Sequence, residues 1–214
     1  MAKIDKIYFY KMTTDNGGAP CSYNSILTLA ICKPKIRSTA EENDWIIGFG
    51  GKDLGERLIY VAQVTTKLHN GEYYKTEKYY KRPDCIYRWD SEKKDYYRVA
   101  VDENEYHKDG SNLDHDLDKR KALVLLSKNY TYFGNLGTSE YKEKYPEIRK
   151  NIEALKRSHR INHSETLFDE LCRLIQEHIV LKIEGKPSDI DSCKKCNCIE
   201  GQLVVSSRKT TNCV

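Results

Sequence analysis

The residues best equipped for chemistry in this 214-residue chain lie in one acidic stretch: His107, Asp114, His115, Asp116 and Asp118. Imidazoles beside carboxylates supply general acid–base pairs, or ligands for a metal ion. His107, His115 and Asp116 are the candidate catalytic residues. In an extended chain Asp114, His115 and Asp116 alternate faces, so their convergence requires a turn. The plainer reading is a charged loop whose carboxylates hydrogen-bond a histidine. A second stretch joins a Gly-rich loop, Asp15-Asn16-Gly17-Gly18-Ala19-Pro20, to Cys32-Lys33-Pro34-Lys35-Ile36-Arg37 and Asp44-Trp45-Ile46-Ile47-Gly48-Phe49-Gly50. Lys33, Lys35 and Arg37, just after a strand, suit phosphate oxygens, the arginine in bidentate fashion. Trp45, preceded by Asp44, offers an aromatic face to a base, and Gly48 and Gly50 permit close approach of a ligand. From spacing alone, a β-turn, a core tryptophan and solvated lysines are the simpler alternative. Ser127 and Tyr132, near a strand end, are candidate pocket-lining residues, although Ser127 lacks the surroundings of a hydrolase nucleophile.

The elements that must position these groups follow from hydrophobic patterning. Ile7 to Tyr10, Ile26 to Cys32, Asp44 to Phe49 and Leu58 to Leu68 read as strands, the last as one long central strand. Ala122 to Phe133 reads as a strand pair, Leu123 to Leu126 followed by Tyr130 to Phe133. The period changes after Gly137. Ile148, Ile152 and Leu155 recur at helical spacing behind Pro146, and a second helix starts at Ser164 as N-cap, with Leu167, Phe168, Leu171, Leu174 and Ile175 on one face. Tyr73-Tyr74 and Tyr79-Tyr80 among lysines read either as a stacking surface for nucleic acid or as a solvated hairpin with paired tyrosines, the latter preferred. Strands first and helices after predict an α+β domain over residues 1–185, with a mainly antiparallel, barrel-like sheet and two C-terminal helices packed on it. Lys186-Pro187-Ser188 reads as a linker to a Cys-rich tail, 186–214. There Cys193, Cys196, Cys198 and Cys213 are a candidate Zn²⁺ site, the alternative being free thiols.

The run from Asp15 to Pro20, then Leu27-Thr28-Leu29-Ala30, Cys32-Lys33-Pro34, Ile36-Arg37, Ala40 and Asp44-Trp45-Ile46, resembles the family called nucleotide modification associated domain 2. His107, His115-Asp116 and Val124 to Gly134 are similar to its middle portion, and Ser158-His159-Arg160 fits more loosely. The likeness spans about Lys6 to Ile179 and leaves the Cys-rich tail outside. Asn43 stands where the family pattern expects glycine, and asparagine tolerates the left-handed turn better than most residues. The resemblance implies a role with modified nucleotides or DNA in bacteria and their phages, and it brings no assigned catalytic residue. Asp44-Trp45-Ile46 at a strand start is also similar to the PUA and EVE barrels that read modified bases.

Composition bounds the remainder. Lys and Arg number 36 against 32 Asp and Glu, a net charge of +4, so no uniformly basic surface marks a nucleic-acid binder. Charge is modular instead: basic and tyrosine-rich from Lys67 to Arg98, acidic from Asp102 to Asp118. No apolar run is long enough to span a bilayer, and the first residues lack a signal-peptide centre, which predicts a cytoplasmic protein. Eight cysteines in such a compartment read as thiols, Cys32 and Cys172 as small buried hydrophobes. The expected function is recognition or processing of a nucleotide or nucleic-acid base, DNA favoured as partner. An enzyme on free nucleotides and a protein-interaction module are the alternatives.

Overall fold

Several strands here carry apolar residues in both alternating positions, which requires burial of both sheet faces. The computed structural model meets that requirement with layers on either side of a five-stranded sheet; it describes residues 6–99, 107, 112–118, 121–156 and 158–188. The strands are β1 (Ile7–Met12), β2 (Cys21–Tyr23), β3 (Ile26–Leu29), β4 (Trp45–Gly50), β5 (Leu58–Gln63), β6 (Thr66–Leu68), β7 (Tyr87–Asp90), β8 (Asp95–Arg98), β9 (Val124–Ser127), β10 (Asn129–Tyr132) and β11 (His159–Arg160). The helices are α1 (Pro34–Thr39), α2 (Glu72–Lys75), α3 (Leu113–Asp116), α4 (Tyr141–Lys144), α5 (Pro146–Ala154) and α6 (Glu165–Ile179).

The main sheet has the order β10-β5-β4-β1-β11, a second has β2-β3-β9-β6, and β7 pairs with β8 alone. All pairings are antiparallel except β1 with β4. That parallel pair needs a crossover, and β2, β3 and α1 provide it. The fold is thus mixed α+β, but among the described residues no sheet closes into a barrel. The described residues hold six α-helices, not only the two foreseen near the C-terminus.

The departure from a barrel has a local cause. The run Leu58 to Leu68 is two strands in different sheets, broken at Val64-Thr65. There the Val64 amide bonds to the Asp44 carbonyl (2.8 Å) and the Thr65 amide to the Leu126 carbonyl (2.8 Å). The run from Leu123 breaks likewise after Ser127, so β9 and β10 do not pair with each other but join different sheets. Both segments turn the same corner, a recognised way for strands to switch sheets.

Ile7, Phe9, Trp45, Ile47 and Phe49 point to one face of the main sheet, where Ile148 and Ile152 of α5 and Leu167, Leu171 and Leu174 of α6 cover them. The Ser164 hydroxyl caps α6 by accepting the Leu167 amide at 3.3 Å. The buried Glu170 carboxylate accepts the Ile148 amide (2.9 Å) in the first turn of α5. On the opposite face Tyr8, Tyr10, Met12, Ile46 and Tyr60 pack against Leu27, Leu29 and Leu125 of the second sheet. Gly48 belongs to this contact. A Cβ there would lie 2.3 Å from Tyr60 Cε1, so close strand packing explains the glycine.

Tyr73-Tyr74 and Tyr79 form neither a stacking surface nor a hairpin; the hairpin of the tyrosine-rich segment is β7–β8, further along the chain. Tyr73 and Tyr74 sit in the short helix α2, fully buried, and join Tyr79, Tyr87 and Tyr96 in a third cluster beneath the second sheet. Arg82 and Asp84 anchor it from inside. Arg82 donates to the Tyr73 hydroxyl (2.8 Å) and to the carbonyls of Tyr23 (2.8 Å), Cys21 (3.1 Å) and Ile26 (3.1 Å). Its Nε lies 3.5 Å from Asp84, whose carboxylate also accepts the hydroxyls of Tyr73 and Thr28. Truncating one partner of such a buried pair strands the other charge and its carbonyls. Arg82→Ala is therefore expected to lower unfolding free energy by roughly 3–5 kcal/mol, read as a reduced midpoint in urea with an unchanged slope.

Candidate functional site

Cys32 occupies the turn between β3 and α1. The strand stops at Leu29, three residues earlier than its apolar run, and Pro34 opens the helix with a preset φ. In between, Cys32 (φ 56°) and Lys33 (φ 46°) are both left-handed, each at a cost of roughly 1–2 kcal/mol for a residue with a Cβ. Arg37 holds the turn in place. Its guanidinium, with no exposed surface, donates from Nε to the Cys32 carbonyl (2.7 Å), from Nη1 to Leu123 (2.7 Å) and from Nη2 to His115 (3.4 Å).

The other half of the site comes from the acidic stretch. The single turn of α3 solves the facing problem of Asp114, His115 and Asp116: it turns Asp116 inward and leaves His115 and Asp114 exposed. The Asp116 carboxylate has no exposed surface. Its Oδ1 accepts the Cys32 amide at 2.9 Å, and its Oδ2 accepts the Tyr87 hydroxyl at 2.6 Å and contacts His107 Nδ1. The far side of the same imidazole, Nε2, lies 3.5 Å from Cys32 Sγ. Thiol, imidazole and carboxylate thus stand in line. His115 approaches Asp116 Oδ1 at 3.7 Å from outside that line.

Electrostatics match the geometry. His107 is pushed up to about 10 by its hydrogen bond to Asp116 and next by that to Cys32, against the effect of burial. For Asp116, burial is the largest influence and would raise it. The hydrogen bonds from His107, Tyr87 and the Cys32 amide outweigh burial and hold the carboxyl below its usual range. A protonated imidazole beside a sulfur is the counter-charge that nucleophilic cysteines use.

Cys32, His107 and Asp116 also bring metal-ligating atoms within 4.8 Å of one another. With Nδ1 committed to Asp116 and Nε2 facing the sulfur, one ion cannot touch all three unless the ring turns. The arrangement fits a proton relay better than a chelate.

The line ends in a cavity of about 220 Å³ lined by Cys32, His107, Lys33, Met12 and the loop bearing Thr13, Asn16 and Gly18. This lies a little below the roughly 300–1,000 Å³ of drug-sized sites. It suits a single base or a substituent, not a polynucleotide.

The other sequence-derived candidates are placed differently. Lys33 lines the cavity, its Nζ 4.7 Å from the centre of the Tyr10 ring, whereas Lys35 is exposed on α1. Arg37 spends its donors on three carbonyls. Trp45 is 7% exposed in the core beneath α5 and α6 and presents no face to a base. Asp44 accepts the Glu41 amide (2.9 Å) and shapes a turn. Gly48 packs on Tyr60 and Gly50 on Leu54. The Ser127 hydroxyl donates to the Asn129 carbonyl (2.9 Å) at the sheet corner. The Tyr132 hydroxyl donates to Asp15 (2.7 Å), and Asp15 also accepts the amide and hydroxyl of Ser188 at 2.9 and 2.8 Å. The Lys186-Pro187-Ser188 segment is thereby fastened to the Gly-rich loop. Cys193, Cys196, Cys198 and Cys213 lie outside the described residues. Sequence reasoning missed Cys32 as a functional group, and Tyr87 with it. The available signal was Cys-Lys-Pro at a strand end, where proline forces a strand–turn–helix junction and leaves the preceding side chain on the turn.

The fold and the site define an α+β protein with a thiol–imidazole–carboxylate line opening into a small cavity, and no helix among the described residues is long and apolar enough to cross a membrane. The chain belongs to the nucleotide modification associated domain 2 family, whose sequence profile matches residues 4–194. That family points to a role in nucleotide modification systems. No curated protein and no solved structure matches the chain significantly.

The His107–Asp116 pair carries a pH signature. His107 is raised from 6.5 to about 10 in the folded protein, so its contribution to stability is complete below about pH 6.5 and is lost as pH rises through about 10. His107→Gln should flatten the fall in thermal midpoint between pH 7 and 10 relative to the parent protein, measured by circular dichroism melts. An identical slope in both proteins would refute the pairing.

Proposed function

We propose that this protein processes a nucleotide or a nucleic-acid base by covalent catalysis, with Cys32 as nucleophile, His107 as acid and base, and Asp116 as the residue that positions and charges the imidazole. The observation that carries this reading is the line Cys32 Sγ–His107 Nε2, His107 Nδ1–Asp116 at a cavity wall. It favours processing over passive recognition, because a recognition pocket has no need of a nucleophile backed by a buried carboxylate. His115, exposed beside Asp116 and outside the line, is not the proton-transfer group. Lys33, at the cavity, takes the phosphate; Lys35 lies further out along α1.

The reading keeps DNA modification in bacteria or their phages as the setting, and a reducing cytoplasm, in which a nucleophilic thiol stays reduced. The substrate base arrives as a free nucleotide or flipped out of DNA, since the cavity admits one base and not a duplex.

The test is turnover and binding of modified and unmodified deoxynucleotides and of single-stranded DNA carrying them. Cys32→Ala and His107→Gln should each lose activity by at least ~100-fold, the scale of a missing acid–base group, while the fold persists. Lys33→Ala should weaken nucleotide binding by about tenfold, as expected for a lost charged contact of about 1.5 kcal/mol, with little change in the chemical step. Full activity of Cys32→Ala would remove the covalent mechanism.

A further inference from the structure

Resting on the assignment of Cys32 as nucleophile, we infer that the intermediate is a thioester: the protein is an acyl-transfer enzyme whose substrate is an ester or amide carried on a nucleotide-sized molecule.

The geometry of the proton donor selects this chemistry. His107 Nε2 sits 3.5 Å from the sulfur, so its proton is delivered beside the bond that the sulfur makes. In acyl transfer the leaving nitrogen or oxygen departs from the very carbon that the sulfur attacks, and needs its proton there. The other thiol reaction expected of a base-modifying protein is addition to C6 of a pyrimidine. There the negative charge develops on the far side of the ring, at the exocyclic oxygen, where a donor next to the sulfur is of no use.

The cavity wall supports the same choice. Among the described residues neither Phe, Tyr nor Trp lines it, and the wall they form offers no aromatic face to hold a pyrimidine ring flat against the thiol. The wall includes Asn16, Gly18 and Thr13 from the segment between β1 and β2, with the Asn16 side-chain oxygen Oδ1 accepting the Gly18 amide at 3.2 Å. That bond engages the Gly18 N–H within the loop, and the side-chain NH2 of Asn16 is the kind of donor that stabilises a tetrahedral oxyanion. Lys33, on the same wall, supplies positive charge for an acidic or phosphate-bearing substrate.

The step balances without a further co-reactant in its first half. The Cys32 thiolate attacks the acyl carbon, the C–S bond forms, and the carbonyl π pair moves to oxygen. Collapse expels the amine or alcohol, which takes the proton from His107 Nε2 and leaves a thioester. In the second half water, or an amino or hydroxyl group of an acceptor nucleotide, loses a proton to His107 and attacks the thioester. The C–S bond breaks and its electron pair returns to sulfur. Water as acceptor gives hydrolysis of the acyl group; a nucleotide acceptor gives its transfer.

The test uses the full chain and three probes read by intact and peptide mass spectrometry: p-nitrophenyl acetate, iodoacetamide and 5-fluoro-2′-deoxyuridine monophosphate. Cys172, half-buried on α6, is the internal reference thiol. The expected result is one acetyl group on Cys32, removed by neutral hydroxylamine, formed at least tenfold faster than on Cys172 and accompanied by repeated p-nitrophenol release. His107→Gln should slow acetylation by ~100-fold; the selectivity of the parent protein is decisive even if that variant fails to fold. If iodoacetamide or the fluoropyrimidine labels Cys32 selectively while the ester does not, the acyl inference falls and the covalent reading stands. If no probe prefers Cys32 to Cys172, both fall together.

Discussion

A carboxylate with no exposed surface must have its lone pairs answered from inside the protein, and Asp116 meets that requirement by drawing three distant segments together. The Cys32 amide comes from the turn after β3, the Tyr87 hydroxyl from the start of β7, and the imidazole from the acidic stretch. Arg37 performs the complementary task for backbone carbonyls, binding the Cys32 turn to the approach of β9 and to α3. One buried anion and one buried cation therefore fix the geometry of the thiol. The two left-handed residues at the turn are tolerable because these contacts over-determine it.

The main sheet divides the labour. Its helix-covered face is filled by Ile, Leu, Phe and Trp side chains whose role is packing. Its other face meets the second sheet through tyrosines, and there polar groups accumulate: Tyr10 with Tyr60, Tyr132 with Asp15, and beyond them the cavity. Burial is what raises the Tyr10 and Tyr60 hydroxyls, so they serve as neutral hydrogen-bonding groups. A rigid apolar platform on one side and a polar, tyrosine-lined layer on the other is a sound base for a site that needs fixed donors.

The parts of this fold legible in the sequence were those with an unambiguous period or cap. Strands β1 and β4 follow from dense apolar runs bounded by breakers, and α6 follows from Ser164 and its i, i+3, i+4 spacing. The sheet corners were not legible, because Leu58 to Leu68 stays rich in β-branched residues through Val64-Thr65-Thr66 and such a pattern does not record which partner a strand leaves. For the site, residue types were legible and directions were not. His107 and Asp116 were singled out by chemistry, yet their pairing depends on a helical turn that reverses which neighbour faces inward. Arg37 and Trp45 have the right functional groups for phosphate and base, and the structure points both into the interior. Cys32 was misread because its apolar neighbours suggested a strand continuing through it, whereas the strand ends early and the thiol stands at a cavity wall.

The corner shared by β5–β6 and β9–β10 has a mechanical consequence. Two continuous stretches of chain each contribute a strand to both sheets, so neither sheet can peel away without dragging strands out of the other. The Cys32 turn follows a strand of the second sheet, while Met12, at the cavity's other wall, ends a strand of the first. The two walls are thus stitched together by the chain itself. Such a pocket has little freedom to widen by sliding one sheet over the other, and selection among substrates must come from its loops.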